Sequence, residues 1–434
     1  MMARLALSAA LAAFAFPALA SAQDIVITNA TLAIGDGSAP IENGTVIIDS
    51  GTVIFAGPAG NAPQSPAGGT VIDARGQWVS PGIFMPLTNL GLWDVGAVSE
   101  SNDIRAGNSR FNAALDASTA VNYASQHISV SRAGGVTRAT IAMGPSGSIF
   151  AGQGAAIDLG ADTDAVMEAK SFQLVLLGEA GARLAGGSRV AAYAEFANSL
   201  HEAKAYANGN WAGEDALLTR ADAAALVSVI DGSQKLYIHV ERAADIRSVL
   251  ALKQTYPALD MVLVGVSEGW MVAGAIAAAG VPVIADPLDN LPAQFEQLAA
   301  TQSNVGRMVD AGVTVALGGL SGGITGPRTA PQFAGNLVAL SKLPRASGLT
   351  WGEAMASITS VPAAISGFAG RYGVLANGAA GDVVIWNGDP LEVFSAPTRV
   401  FIDGVEQPLT NHQTRLRDRY RDLDQSDLPK AYDW

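Results

Sequence analysis

Between about residues 80 and 370 the chain repeats one pattern: a short apolar run, then an alanine-rich stretch with apolar residues at helical spacing. The runs are "GIFMPL", "VTRATIAM", "GAAIDLG", "FQLVLLG", "KLYIHV", "MVLVGV", "VPVIAD" and "VTVALGG", eight in all. Runs this apolar suit parallel strands buried on both faces. Stretches such as "RADAAALVSVI", "RAADIRSVLALKQTY" and "EGWMVAGAIAAAG" suit the helices that would cover them. Eight strand–helix repeats predict an α/β fold built on a (β/α)8 TIM-like barrel. An open doubly wound sheet is the alternative architecture. "GAAIDLG" is the weakest of the eight as a barrel strand.

The flanks have a different texture. "DIVITNATLAI", "GTVIIDSGTVIFAG" and "GTVIDARGQ" at the start, and "GDVVIWNGDPL" and "RVFIDGVEQP" near the end, are short strands broken by turn residues. Each flank alone is marginal as a sheet. The economical arrangement joins them in one composite β-sandwich domain from which the barrel loops out. The expected organisation is a signal peptide at 1–22, the composite domain at 23–80 and 371–409, the barrel at 81–370, and a charged tail at 410–434.

Arg4, the apolar "LALSAALAAFAF" and the small residues "ALASA" before Gln23 have the make-up of a cleaved export signal, which predicts a periplasmic chain. That run is too short to span a bilayer comfortably, and no later one stays apolar long enough. With no cysteine, disulfides and thiolate metal sites are excluded. A net charge of −13 argues against nucleic acid and anionic lipid as partners, since both need basic patches.

Several segments carry a resemblance. "GQWVSPGIFMPLTNLGL", "SRAGGVTRATIAMGPSGSIFAGQGA", "KLYIHVERAADI", "GVLANGAAGDVVIWNGDPLE" and "RVFIDG" are similar, in order, to segments of the metal-dependent amidohydrolase superfamily, in its imidazolonepropionase-like branch. The resemblance covers nearly the whole chain after the leader. It implies a barrel holding one or two divalent metals at the C-terminal ends of its strands, where a metal-bound hydroxide attacks an amide or related C–N bond. It also implies the ligands: a His-x-His pair after strand one, a lysine or carboxylate on strand four, histidines on strands five and six, and an aspartate on strand eight.

This chain departs from that set. Leu87, Thr88 and Asn89 stand where the pair should be, with Met85 in place of the preceding aspartate. Gly318, Gly319 and Leu320 stand at the strand-eight turn, so a leucine replaces the acid. Strand four offers no lysine, since Lys170 lies just before it. His239 on strand five remains, and Glu268 lies in "GVSEGW" after strand six. One imidazole cannot hold zinc, which takes three or four N, O or S donors at about 2.0–2.3 Å. Losing the others forfeits most of a binding energy on the order of 10 kcal/mol.

Other residues are candidates with an ordinary alternative beside each. His239 and Glu268 are the candidate catalytic pair; the alternative for His239 is an inherited histidine satisfied by a neighbour. His239, Glu179, Glu268 and Asp286 could form a substitute site for a harder cation. The acids could equally cap helix N-termini. The glycine-rich "GPSGSIFAGQG", residues 144–154, offers backbone N–H groups, with Gly152 and Gln153 as ligand contacts, or is a plain connection. Arg328, expected on a loop at the same face, could bind a carboxylate or sit on the surface. His127, His201 and His412, like Trp93 and Trp270, read as core or surface residues.

These observations predict a periplasmic chain that by descent hydrolyses non-peptide C–N bonds but is catalytically impaired, or repurposed to bind a small polar or peptide-derived molecule. No cofactor is expected, with a divalent metal such as zinc only if the substitute site forms. The rivals are an active hydrolase with an atypical site around His239 and Glu268, and a structural subunit in an oligomer or beside an active paralogue.

Overall fold

The computed structural model describes residues 23–66, 68–318 and 326–421. The segment expected to be an export signal, Leu320 and most of the charged tail lie outside the described residues.

The N-terminal flank forms β1 (Ile25–Leu32), β2 (Ile41–Asp49), β3 (Thr52–Pro58), β4 (Thr70–Asp73) and β5 (Trp78–Pro81). Asp49 pairs with Thr52 across a two-residue turn. Ser50 and Gly51 hold φ of 49° and 80° there, the positive values such a hairpin turn requires.

The chain then builds eight strands of a second sheet: β6 (Ile83–Thr88), β7 (Val136–Ile141), β8 (Phe150–Asp158), β9 (Val166–Leu176), β10 (Lys235–Val240), β11 (Met261–Gly265), β12 (Val283–Ala285) and β13 (Val315–Leu317). It returns as β14 (Val383–Trp386), β15 (Pro397–Ile402) and β16 (Val405–Glu406). β14 runs antiparallel to β5, with Trp386 opposite Trp78, and the two ends of the chain thereby share one sheet in the order β16-β15-β14-β5-β1-β2-β3. Ile25, Ile27, Val46, Val79, Val383 and Phe401 bury against one another as its core.

All eight apolar runs are strands, ordered sequentially from β6 to β13. The sheet nearly closes into a barrel. At the last seam the carbonyls of Ser357 and Ile358 accept from the N–H groups of Leu317 and Phe84, so an intervening segment does the work of a ladder.

One strand differs from expectation. β8 runs antiparallel to both β7 and β9. The connections on either side, residues 142–149 and 159–165, are too short for a crossover, which needs about a dozen residues or more. Hairpins are the only solution. Residues 150–154 consequently belong to a strand, where the sequence suggested a glycine-rich loop.

Alternate residues face inward and fill the barrel. Leu87, Ala142, Ala151, Leu174, Leu176, Tyr237, Val264, Ile284 and Ala316 form one apolar cluster. Phe172 and Tyr237 stack within it at 4.2 Å between ring centroids. The outward set, including Leu236, Ile238, Leu263, Val283 and Val315, packs in the larger cluster shared with the covering helices.

At the floor of the barrel Arg138 of β7 is buried. It makes two bonds to Asp382 at 2.8 and 2.9 Å, one ion pair to Asp403 at 2.7 Å, and a longer one to Asp158 at 3.9 Å. Its guanidinium also lies 4.3 Å from the centroid of the Tyr372 ring. Burial alone would lower the guanidinium pKa, but Asp382 and Asp403 outweigh it and raise it above the ordinary value.

Asp158 is the group left short. Burial pushes it up from 3.8 to about 6, against the opposing pull of the Gly160 N–H and Arg138. A raised acid keeps its proton in the folded chain after the unfolded chain has lost it. Stability therefore falls as pH rises from about 4 to about 6 and is flat in this term above that. Asp158→Asn should remove the slope: its stability relative to the parent, from urea unfolding, should grow between pH 4 and 6.5. A pH-independent offset would refute the assignment.

Candidate functional site

His239 and Tyr237 point into the barrel from β10, and Glu241 follows His239 at the same two-residue period. The His239 Nε2 lies 3.1 Å from Glu241 Oε1. Next door, β11 ends in Gly265 and Val266, both at positive φ (89° and 50°), a sharp turn that swings Ser267 back over Glu241. Ser267 donates to Glu241 Oε2 through its N–H at 2.8 Å and its hydroxyl at 2.7 Å. Burial would raise the Glu241 pKa, but the bonds from His239 and Ser267 prevail and hold its carboxyl below the usual range.

A carboxylate on Nε2 assigns the ring proton to that nitrogen, which leaves Nδ1 of the neutral ring as an acceptor. His239 Nδ1 is buried and has no hydrogen-bond partner.

A second layer comes from the loop after β12. Asp289 Oδ2 is 3.0 Å from the Ser267 hydroxyl, and Gln297 Nε2 donates to that hydroxyl at 3.2 Å. One hydroxyl proton cannot serve both Glu241 and Asp289. Burial and the nearby Asp286 raise the Asp289 pKa.

Glu296, 1% exposed, accepts at Oε2 from the Glu179 N–H at 2.6 Å and from Arg189 Nη2 at 3.2 Å. Its Oε1 is buried without a partner. Burial raises its pKa, with the Glu179 N–H opposing. Gly178, at φ 66°, permits this approach, because a Cβ there would meet Glu296 Oε2 at 2.8 Å.

The opposite side of the mouth is apolar. Leu87, 5% exposed, packs among the inward-facing apolar residues, and its N–H donates to Thr140 Oγ1 at 2.9 Å. Its φ of 51° is an uncommon backbone state for leucine. Asn89 is exposed, and Met85 packs in the outer cluster.

The other sequence-chosen residues fall elsewhere. Both oxygens of Glu268 serve backbone: Oε2 accepts from Ala243 N at 2.9 Å and Oε1 from Ala299 N at 3.2 Å. Glu268 thus caps the helix Ala243–Thr255, which precedes it, and ties down the loop that follows. Glu179 pairs with Arg183 at 2.9 Å, and Asp286 accepts from Leu288 N at 3.1 Å. Among the described residues, no three or more His, Cys, Asp or Glu side chains gather as a metal-holding group, so His239, Glu179, Glu268 and Asp286 are not one ligand set.

Gly152 and Gln153 lie within β8, and the structure directs them away from the mouth. Gly152 abuts the Leu115 carbonyl, and Gln153 accepts from Gln234 Nε2 at 3.2 Å, at the end of β10 opposite His239. The reversed course of β8 carries them down the barrel. Arg328 is likewise displaced to the floor, where it touches Gly134 just before β7 and donates to Gln413 Oε1 at 2.7 Å. Lys170 is exposed, 3.9 Å from Asp116. Trp93 stacks on His127 at 3.9 Å, Trp270 donates to the Ala299 carbonyl at 2.9 Å, and His201 is exposed.

Sequence reasoning missed Glu241, Ser267, Asp289, Glu296 and Arg189. Glu241 alone had a signal, its two-residue spacing from His239 on the same strand face. Ser267, Asp289 and Glu296 are brought in by segments without periodicity, and Arg189 opens the helix Arg189–Ala207.

Gly265 is the hinge of the network, since a Cβ there would lie 2.4 Å from Glu241 Oε1. Gly265→Ala should lose about 1–2 kcal/mol to backbone strain and more to the displaced carboxylate. Gly274→Ala, where a Cβ meets nothing within 4 Å, should cost no more than a few tenths. Equal urea midpoints for the two variants would contradict this picture.

No family model matches the chain. A curated amidohydrolase, tasK of Hapsidospora irregularis, is 43% identical over 60 residues, which is 14% of this chain and 6% of that protein. An amidohydrolase structure from Thermotoga maritima superposes with a TM-score of 0.76 at 21% identity, covering 88% of this chain and 99% of the other. A molinate hydrolase structure gives 0.54 at 16% identity over 90% and 95%, and a prolidase complexed with N-methylphosphonate-L-proline gives 0.52 at 15% over 88% and 99%. With its eight-stranded barrel set on a sheet shared by both chain ends, the chain has the fold of the Thermotoga maritima amidohydrolase.

Proposed function

We propose that this is an exported, periplasmic protein of amidohydrolase descent whose barrel mouth binds a small polar or peptide-derived molecule without metal-assisted hydrolysis. The observation that carries the reading is Leu87. It occupies the interior of the barrel beside Ala142, Leu176, Val264 and Ala316, in the place of the first imidazole the resemblance implies. A cation there would face aliphatic carbon.

The remaining donor set does not fit a catalytic metal either. The Nε2 of His239 is engaged by Glu241, the oxygens of Glu268 are spent on backbone N–H groups, and the described residues gather no set of three ligands.

What the chain's own residues support is recognition. Glu241 fixes the tautomer and orientation of His239, and Ser267 and Gly265 fix Glu241. Within this network two buried acceptors, His239 Nδ1 and Glu296 Oε1, are left over. A buried polar atom without a partner costs about 1–3 kcal/mol, a penalty that a bound donor relieves. Among the described residues no helix is long and apolar enough to cross a membrane.

Elemental analysis of purified protein tests the reading. Far less than one equivalent of zinc, manganese or iron per chain is expected, and a stoichiometric metal overturns it. A thermal-shift screen against amino acids, dipeptides and cyclic amides should find stabilisation, and His239→Ala should abolish it. No shift with any compound would favour an assembly role.

A further inference from the structure

The two unpartnered acceptors are neighbours in the backbone. Leu177 N–H donates to the His239 carbonyl at 3.0 Å, fixing the end of β9 against β10. The next two residues, Gly178 and Glu179, form the seat of Glu296: one leaves room for its Oε2, the other donates to it at 2.6 Å. His239 and Glu296 are thereby brought to the same end of β9 and β10.

Everything left over at this place accepts. His239 Nδ1 carries a lone pair once Nε2 holds the proton, and Glu296 Oε1 is a carboxyl oxygen. The groups around them are largely acids: Glu241, Asp289, Asp286 and Asp245. The arginines are already committed, Arg189 to Asp245 and Glu296, and Arg242 to Asp245 through two bonds at 2.9 and 3.0 Å. An anion would meet only repulsion. A group with several N–H donors and a positive charge would satisfy both orphans at once.

We propose that the barrel mouth recognises its ligand by a protonated amine, which donates to His239 Nδ1 and Glu296 Oε1. The ligand class is then a small primary amine or the free amino end of a short peptide. The proposal rests on the binding reading above and deepens it. Glu296 rides on the loop after β12, whose outer side exposes Leu291, Phe295 and Leu298. It is held by Gln297 on Ser267 and by Ala299 on Trp270, side-chain bonds that can part to admit a ligand.

The test compares L-alanyl-L-alanine amide with its N-acetyl form, which differ only in the amine, by calorimetric titration of the full-length protein. Binding of the free amine at least tenfold tighter than the acetylated form is expected. Glu296→Gln should lose that preference while keeping its bond from Glu179, and His239→Gln, as a second variant, should weaken the free amine alone. Equal binding of the two amides, or a preference that survives Glu296→Gln, overturns the amine site and leaves the binding reading standing. The same holds if neither amide binds while a cyclic amide does. If no compound of the wider screen binds, both fall. Zinc chloride that binds and displaces the amide would overturn the proposal in favour of a cation site for metal.

Discussion

Arg138 is the point at which the two parts of this protein are made one. It arises from the barrel, on β7, and its partners come from the return segment before β14 and from the β15–β16 turn. A guanidinium buried this deeply is tolerable only when its donors are met, and here a bidentate carboxylate, a second acid and a tyrosine face meet them. The requirement is mutual. Asp382 also accepts from the Asp403 N–H at 3.0 Å, so the hairpin turn that presents Asp403 is fixed by the same charge. The composite sheet is thereby keyed to the floor, and the mouth is free to vary without loosening the joint.

That division leaves the floor and the mouth with opposite characters. At the floor an ion is surrounded by counter-ions; at the mouth one side is carbon. Leu87 extends the hydrophobic interior of the barrel upward, while His239, Glu241, Ser267 and Asp289 form a polar wall opposite. The wall is held from behind by glycines at left-handed positions and by loop residues. Its stiffness comes from the hydrogen-bond chain, which places each acceptor against a named donor until two are left.

Much of the fold was legible because a strand buried on both faces must be apolar along its whole length. That condition marked all eight barrel strands, and alternation with turn residues marked the flanks. Hydropathy reports burial, however, and carries no arrow, so the reversed direction of β8 had to be read from loop lengths. The candidate site was legible only where it lies on a strand. His239 and Glu241 share a face by period. Asp289 and Glu296 reach the site through a loop whose path depends on tertiary contacts, and Glu268, which looked chemical, is a cap for the helix behind it. Arg328 was misplaced for a related reason, since its loop descends to Gly134 instead of staying at the mouth.

The reversed strand has one more consequence. Because β8 is joined to both neighbours by hairpins, its inward and outward faces are set by register alone, with no helix to anchor them. Ala151 now faces the barrel interior and Phe150 the helical shell. A one-residue slip would drive the phenyl ring into the filled barrel and leave a methyl group under the helices. The small residue at 151 and the bulky one at 150 therefore act as a ratchet, permitting the hairpins to change in length while forbidding the strand to slide.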